Sequence, residues 1–189
     1  MEIELLDPKI KEIKPSEDMN KNFNENTLSL KENFTINIHN YGGLIIVFAS
    51  TLIVFPVLTF KLDFYLPSYI QYAYISLVFN FADILSRYVY LPYPLDNKSI
   101  IDALSGFKVM LVYIVYMSAK AEFGILTYHV IRFLLIFSIG FLNGYLCMCY
   151  IDLSTKNFTS IYDRNRAGYL INTSIQIGLT IGALLSTLW

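Results

Sequence analysis

The chain has 189 residues and a formal net charge of −1, with 55% hydrophobic residues, 15% charged residues and a mean hydropathy of +0.49. Soluble domains carry nearer 25% charged residues, so this composition excludes an ordinary water-exposed globule. With no basic excess and no basic patch, nucleic acid is excluded as a partner.

Residues 1–38 hold a dense run of charge from Glu2 to Glu32, with Pro8 and Pro15 among it and no apolar h-region. This is not a secretory signal. It cannot bury enough apolar surface to order itself, so it reads as a flexible, charged cytoplasmic tail. From about residue 41 the chain breaks into apolar runs near the roughly 20 residues a bilayer span needs. They cover about 41–61, 67–91, 103–119, 125–150 and 167–189. The expected fold is all-α, a five-helix transmembrane domain over residues 39–189. Pro56 predicts a kink in the first run, where neighbouring helices can re-satisfy the freed carbonyl. Cys147 and Cys149 lie inside the fourth run, at a spacing that fits neither a metal site nor a disulfide framework.

Five spans place the termini on opposite sides, and the distribution of Lys and Arg chooses the orientation. One set of ends carries Lys9, Lys11, Lys14, Lys21, Lys31, Lys98, Lys156, Arg164 and Arg166; the other carries only Lys61 and Lys120. The N-terminus is therefore expected in the cytoplasm and the C-terminus on the outer side. The triplets at Asn33, Asn97 and Asn157 match the glycan acceptor pattern but would face the cytoplasm.

The second run carries the strongest chemistry. Asn80, Asp83 and Arg87 fall within about 60° of arc on one helix face, and Ser76 joins them. An acid or a base at bilayer depth costs roughly 2.5–3.5 kcal/mol, so such groups face protein or water. Asp83 and Arg87 are four apart and can pair. Two readings follow: a structural ion pair, or a polar stripe along a solute path. The extra hydrogen-bonding groups favour the path, with Asp83 accepting and Arg87 donating.

In the fourth run His129, Arg132 and Asn143 share a face. His129 and Arg132 sit near its outer end, where snorkelling to the interface competes with a role in a cavity. Asn143 lies deeper, bonding a neighbouring helix or facing the cavity. Lys108 in the third run has the same two readings. In the fifth run Ser174, Gly178, Gly182 and Ser186 place a small residue at every fourth position, a helix-packing face. Asn172 and Gln176 add polar groups one turn apart, to solute or to helix. There is no phosphate-cradling glycine loop, no metal-ligand cluster and no nucleophile elbow, so neither a cofactor nor an enzyme is expected.

These residues together resemble the equilibrative nucleoside transporters. Phe79, Asn80, Asp83 and Arg87 fit that family's Phe-Asn-x-x-Asp-x-x-Gly-Arg helix, with Ser86 at the glycine position. Ile53-Val54-Phe55-Pro56 is similar to its Phe-Pro motif, and Phe141-Leu142-Asn143-Gly144-Tyr145-Leu146 to its Asn-Gly-Tyr segment. Lys108 stands where an Arg is common and Tyr113 where a Pro is frequent, while Ala167-Gly168, Gly178 and Gly182 resemble the last span.

The resemblance runs from about residue 40 onward and implies the C-terminal half, spans seven to eleven, of a major-facilitator-like carrier. It implies a nucleoside or nucleobase as solute, contacted by Asp83 and Arg87, and a six-span N-terminal half or another membrane chain as partner. Transport would proceed by rocking of the halves about a midplane site. A non-transporting homologue that oligomerises through the small-residue face is the alternative, and a membrane enzyme a third.

Overall fold

The computed structural model describes residues 28–55, 61–62, 67–120, 129–156 and 158–188. Five helices account for nearly all of them: α1 (Leu30–Ile53), α2 (Ser68–Tyr90), α3 (Lys98–Lys120), α4 (His129–Thr155) and α5 (Ile161–Ser186). There is no strand among the described residues.

The helices overrun the apolar runs at their polar ends. An apolar run marks what hydrocarbon can cover, whereas a helix ends where its backbone loses partners. Helix α1 is the plainest correction, because it starts at Leu30, inside the segment expected to be a flexible tail. Ser29 and Glu32 form a capping box there: Glu32 N–H donates to Ser29 Oγ at 3.2 Å and Ser29 N–H to Glu32 Oε2 at 2.7 Å. Asn33, Asn37 and Asn40, which read as tail or tail edge, are buried amides. Asn33 Nδ2 donates to Asp163 O at 3.0 Å and Asn37 Nδ2 to Ser154 O at 3.3 Å. Helix α3 starts at Lys98 rather than near 103, with Ser99 N–H bonded to Asn97 Oδ1 at 3.0 Å. Helix α5 starts at Ile161 rather than near 167, capped by Ser160 Oγ. The α-helical ladder of α1 ends at Ile53, and Val54 and Phe55 continue it as a π-type turn just before Pro56. The kink expected at Pro56 lies outside the described residues.

The helices alternate in direction, as their contacts show. Along α1 and α5, Asn33 meets Asp163, Ile45 meets Gly178 and Ala49 meets Gly182, so the two run parallel. Along α1 and α3, His39 meets Asp102 and Val47 meets Lys108, again parallel. Along α1 and α4, Asn37 meets Ser154, Gly43 meets Tyr150 and Thr51 meets Asn143, which is antiparallel. Helices α2 and α4 are parallel, Phe79 lying on Gly140 and Asp83 on Gly144.

Four helices, all but α2, are long and apolar enough to cross a membrane, consistent with a multi-pass membrane protein. Helix α2 has a similar length of 23 residues but carries Gln71, Asn80, Asp83 and Arg87. Polar content lowers its apolarity, not its length.

Two apolar cores are stacked along the bundle. One gathers Tyr41, Leu44, Val47, Ile101, Leu146 and Tyr150. The other gathers Ile75, Val78, Leu111, Val115, Ile136 and Ile139. Between them, at residues 51, 83, 108 and 143, lies a polar layer.

Candidate functional site

That layer draws one residue or more from each of four helices. Asp83 stands at its centre on α2. Its Oδ2 accepts from Arg87 Nε at 2.9 Å, and its Oδ1 accepts from Asn143 Nδ2 on α4 at 2.8 Å. Asn143 Oδ1 accepts in turn from Lys108 Nζ on α3 at 2.9 Å and from Thr51 Oγ1 on α1 at 2.6 Å. Lys108 Nζ completes its three donations with Thr51 Oγ1 at 2.8 Å and the Val47 carbonyl at 2.7 Å.

The orientation of the Asn143 amide follows from its neighbours. Its NH2 must meet the carboxylate and its oxygen the ammonium; the flipped amide would set acceptor against acceptor. Asn143 therefore bridges an acid and a base that do not touch. Lys108 is 1% exposed and Asn143 5%. No carboxylate of the described residues lies within ion-pair distance of Lys108. A buried cation held by neutral acceptors alone is costly unless every proton is bonded, and here every one is.

The layer opens at one end. The Arg87 side chain is 44% exposed against 14% for Asp83, and among the described residues only its Nε is engaged. Beside it a groove of about 340 Å³ is lined by Ile84, Arg87, Tyr88, Leu91 and Met148.

Close backbone approach makes this geometry possible. Gly140 and Gly144 of α4 lie on α2, where a Cβ on Gly140 would stand 2.6 Å from Phe79 O. A Cβ on Gly144 would meet both Ser86 Oγ and Asp83 O. Opposite them are the small residues Ala82 and Ser86, each fully buried. Ser86 turns its hydroxyl onto Asp83 O at 2.7 Å.

Of the residues singled out in the sequence, Asp83, Arg87, Lys108 and Asn143 come together. Asn80 is exposed and outside the bonded chain. Ser76 Oγ is buried without a hydrogen-bond partner among the described residues. Arg132 is buried, but it lies three turns, about 16 Å, from Asn143 along α4. His129, one turn before Arg132, is exposed. Ser174, Gly178, Gly182 and Ser186 form one buried row against α1, where a Cβ on Gly178 would stand 2.7 Å from Ile45 O. Asn172 and Gln176 lie on the exposed face.

Sequence reasoning missed Thr51, the Val47 carbonyl and Gly140. Thr51 is one of many hydroxyls in apolar runs, and nothing marks it. Gly140 did carry a signal: Gly140-x-x-x-Gly144 is the spacing at which helices approach closely.

No family model, curated protein or solved structure matches this chain.

Proposed function

We propose that this chain is half of a solute carrier, taking a nucleoside or nucleobase across the membrane, with α2 as the second of its five spans. The observation that carries the reading is the four-helix polar layer, buried at Lys108 and open at Arg87. An acid and a base held inside apolar helices mark a solute or ion path. The groove beside Arg87 adds an aromatic ring and a thioether, Tyr88 and Met148, against which a planar base can lie. Asp83 then accepts from sugar hydroxyls and the outer N–H groups of Arg87 donate to ring nitrogens or carbonyls. The other wall is a six-span half or another membrane chain. The start of α1 faces the cytoplasm, where Lys156, Arg164 and Arg166 also lie.

The alternative is a non-transporting partner that oligomerises through small residues, and the packing of that face within the chain weighs against it. Gly178 and Gly182 are spent on α1 within the same chain.

The test has two parts. Purified chain in nanodiscs is probed with adenosine, uridine and hypoxanthine by saturation-transfer NMR, and cells are assayed for uptake with and without a six-span half. Binding that is lost in Asp83→Asn and in Arg87→Ala, with uptake only when both halves are present, is the expected result. Binding unchanged in both variants refutes the site.

A further inference from the structure

A second built cavity lies on another face of α1 and α3, away from the polar layer. Its volume is about 590 Å³, within the range of small-molecule sites. Its two walls have the same pattern at the same spacing. On α1 it reads His39, Gly42, Gly43 and Ile46; on α3 it reads Asp102, Ser105, Gly106 and Val109. Each is a polar residue, then two small ones, then a β-branched one, over seven residue steps or about 10 Å of helix. Because α1 and α3 are parallel, the patterns align. The cavity is polar at the end where both helices begin and apolar at the other, with Tyr150 as its floor.

The polar end is organised. His39 Nε2 lies 3.0 Å from both Asp102 oxygens, and Tyr150 O–H donates to Asp102 Oδ1 at 3.1 Å. Ser105 Oγ lies 2.9 Å from Tyr150 Oη. Both members of the pair remain open, His39 at 57% and Asp102 at 41% side-chain exposure. Asp102 is only four residues into α3, about 6 Å, which is headgroup depth for a helix crossing a bilayer.

The glycines supply an independent argument. A helical glycine costs about 1 kcal/mol against alanine, normally offset where a neighbour packs on it. Gly43 has that reason, because the Tyr150 ring lies on it. Gly42 and Gly106 do not: a Cβ on either would meet nothing within 4 Å. Their lack of side chain keeps the cavity open on both walls.

We propose that this cavity holds one aminophospholipid, its primary ammonium on Asp102 and an acyl chain along Gly42 and Gly106 toward Ile46 and Val109. The polar-to-apolar gradient runs along the helix axis, as in a lipid standing in its leaflet. Asp102 is the anion in the cavity, so a cationic head complements it. A primary ammonium donates hydrogen bonds to the carboxylate, which a quaternary choline cannot.

Full-length chain is purified in detergent, incubated with equimolar phosphatidylethanolamine and phosphatidylcholine of matched chains, and read by native mass spectrometry. One ethanolamine lipid is retained per chain, favoured over choline by about tenfold, the worth of one charge-assisted hydrogen bond. Asp102→Asn removes the preference while circular dichroism stays helical. Gly42→Leu with Gly106→Leu, placed in open space, removes retention of both lipids. Equal retention of the two lipids by the unmodified chain overturns the proposal. So does a cysteine at position 42 that cross-links two copies, because a partner helix then fills the cavity.

Discussion

The crossing of α2 and α4 makes a quantitative prediction about one methyl group. Gly144→Ala puts a Cβ against Ser86 Oγ and the Asp83 carbonyl, with the carbonyl carbon at 3.1 Å. A helical glycine changed to alanine gains about 0.8–1 kcal/mol in propensity. Overpacking against backbone that cannot rotate away costs about 1–3 kcal/mol. The net is a loss of about 0–2 kcal/mol. Gly168 on α5 is the control, since a Cβ there meets nothing within 4 Å. Gly168→Ala keeps the full propensity gain, so the two variants differ by about 1–3 kcal/mol. At roughly 2–4 °C per kcal/mol for a chain of this length, their melting temperatures separate by about 2–12 °C. The assay is thermal unfolding of the purified chain in one detergent, followed by far-ultraviolet circular dichroism. Adding Ser86→Gly to Gly144→Ala recovers only the hydroxyl part of the clash, because the carbonyl stays. If Gly144→Ala melts at or above Gly168→Ala, the close approach of α2 and α4 is wrong.

Lys108→Met fills most of the vacated volume and leaves Thr51 Oγ1 bonded to Asn143 Oδ1, so it changes stability by less than about 1.5 kcal/mol. Lys108→Ala opens a cavity and costs about 2–5 kcal/mol, and equal melting of the two variants would exclude a packed amine. Ser29→Ala removes the capping box and costs about 0.5–2 kcal/mol, read as faster amide exchange over the first turn of α1; unchanged exchange there rejects a helix start at Leu30. The Asp96 carboxylate, 2.7 Å from Lys156 Nζ, holds that amine above its ordinary 10.5. A raised amine contributes its stabilisation in full below the ordinary value and loses it as pH rises through the folded one. Asp96→Asn therefore moves the Lys156 titration down toward 10.5, followed by lysine side-chain NMR, and an unmoved titration rejects the pair.

The sequence showed the polar layer better than it showed the helices around it. Asp83, Arg87, Lys108 and Asn143 are conspicuous because charge and amide are expensive in apolar runs. Their joining into one chain was not legible, since it depends on which helix faces which. Asn143 could equally have met solute; only the approach of α1 and α3 makes it a bridge. Asn80 and Asp83 share a helix face in the sequence, yet one is exposed and the other half-buried. A 60° sector is wide enough to straddle the edge between α4 and open surface. The start of α1 was missed for another reason. Asn33 and Asn37 look like loop residues until Asp163 and Ser154, more than a hundred positions away, take their amides.

The pairing of α1 with α5 has a consequence for how the chain is made. These two helices pack through a row of small residues, yet the three other helices separate them in sequence. As a ribosome releases the chain, α1 enters the bilayer with the Ile45 and Ala49 carbonyls uncovered, and only the fifth helix covers them. Non-local closure of this kind is slow because the loop entropy is paid before the contact rewards it. Assembly therefore has a single late step, and a nascent chain stopped before Ile161 stays open to chaperones and to quality-control proteases.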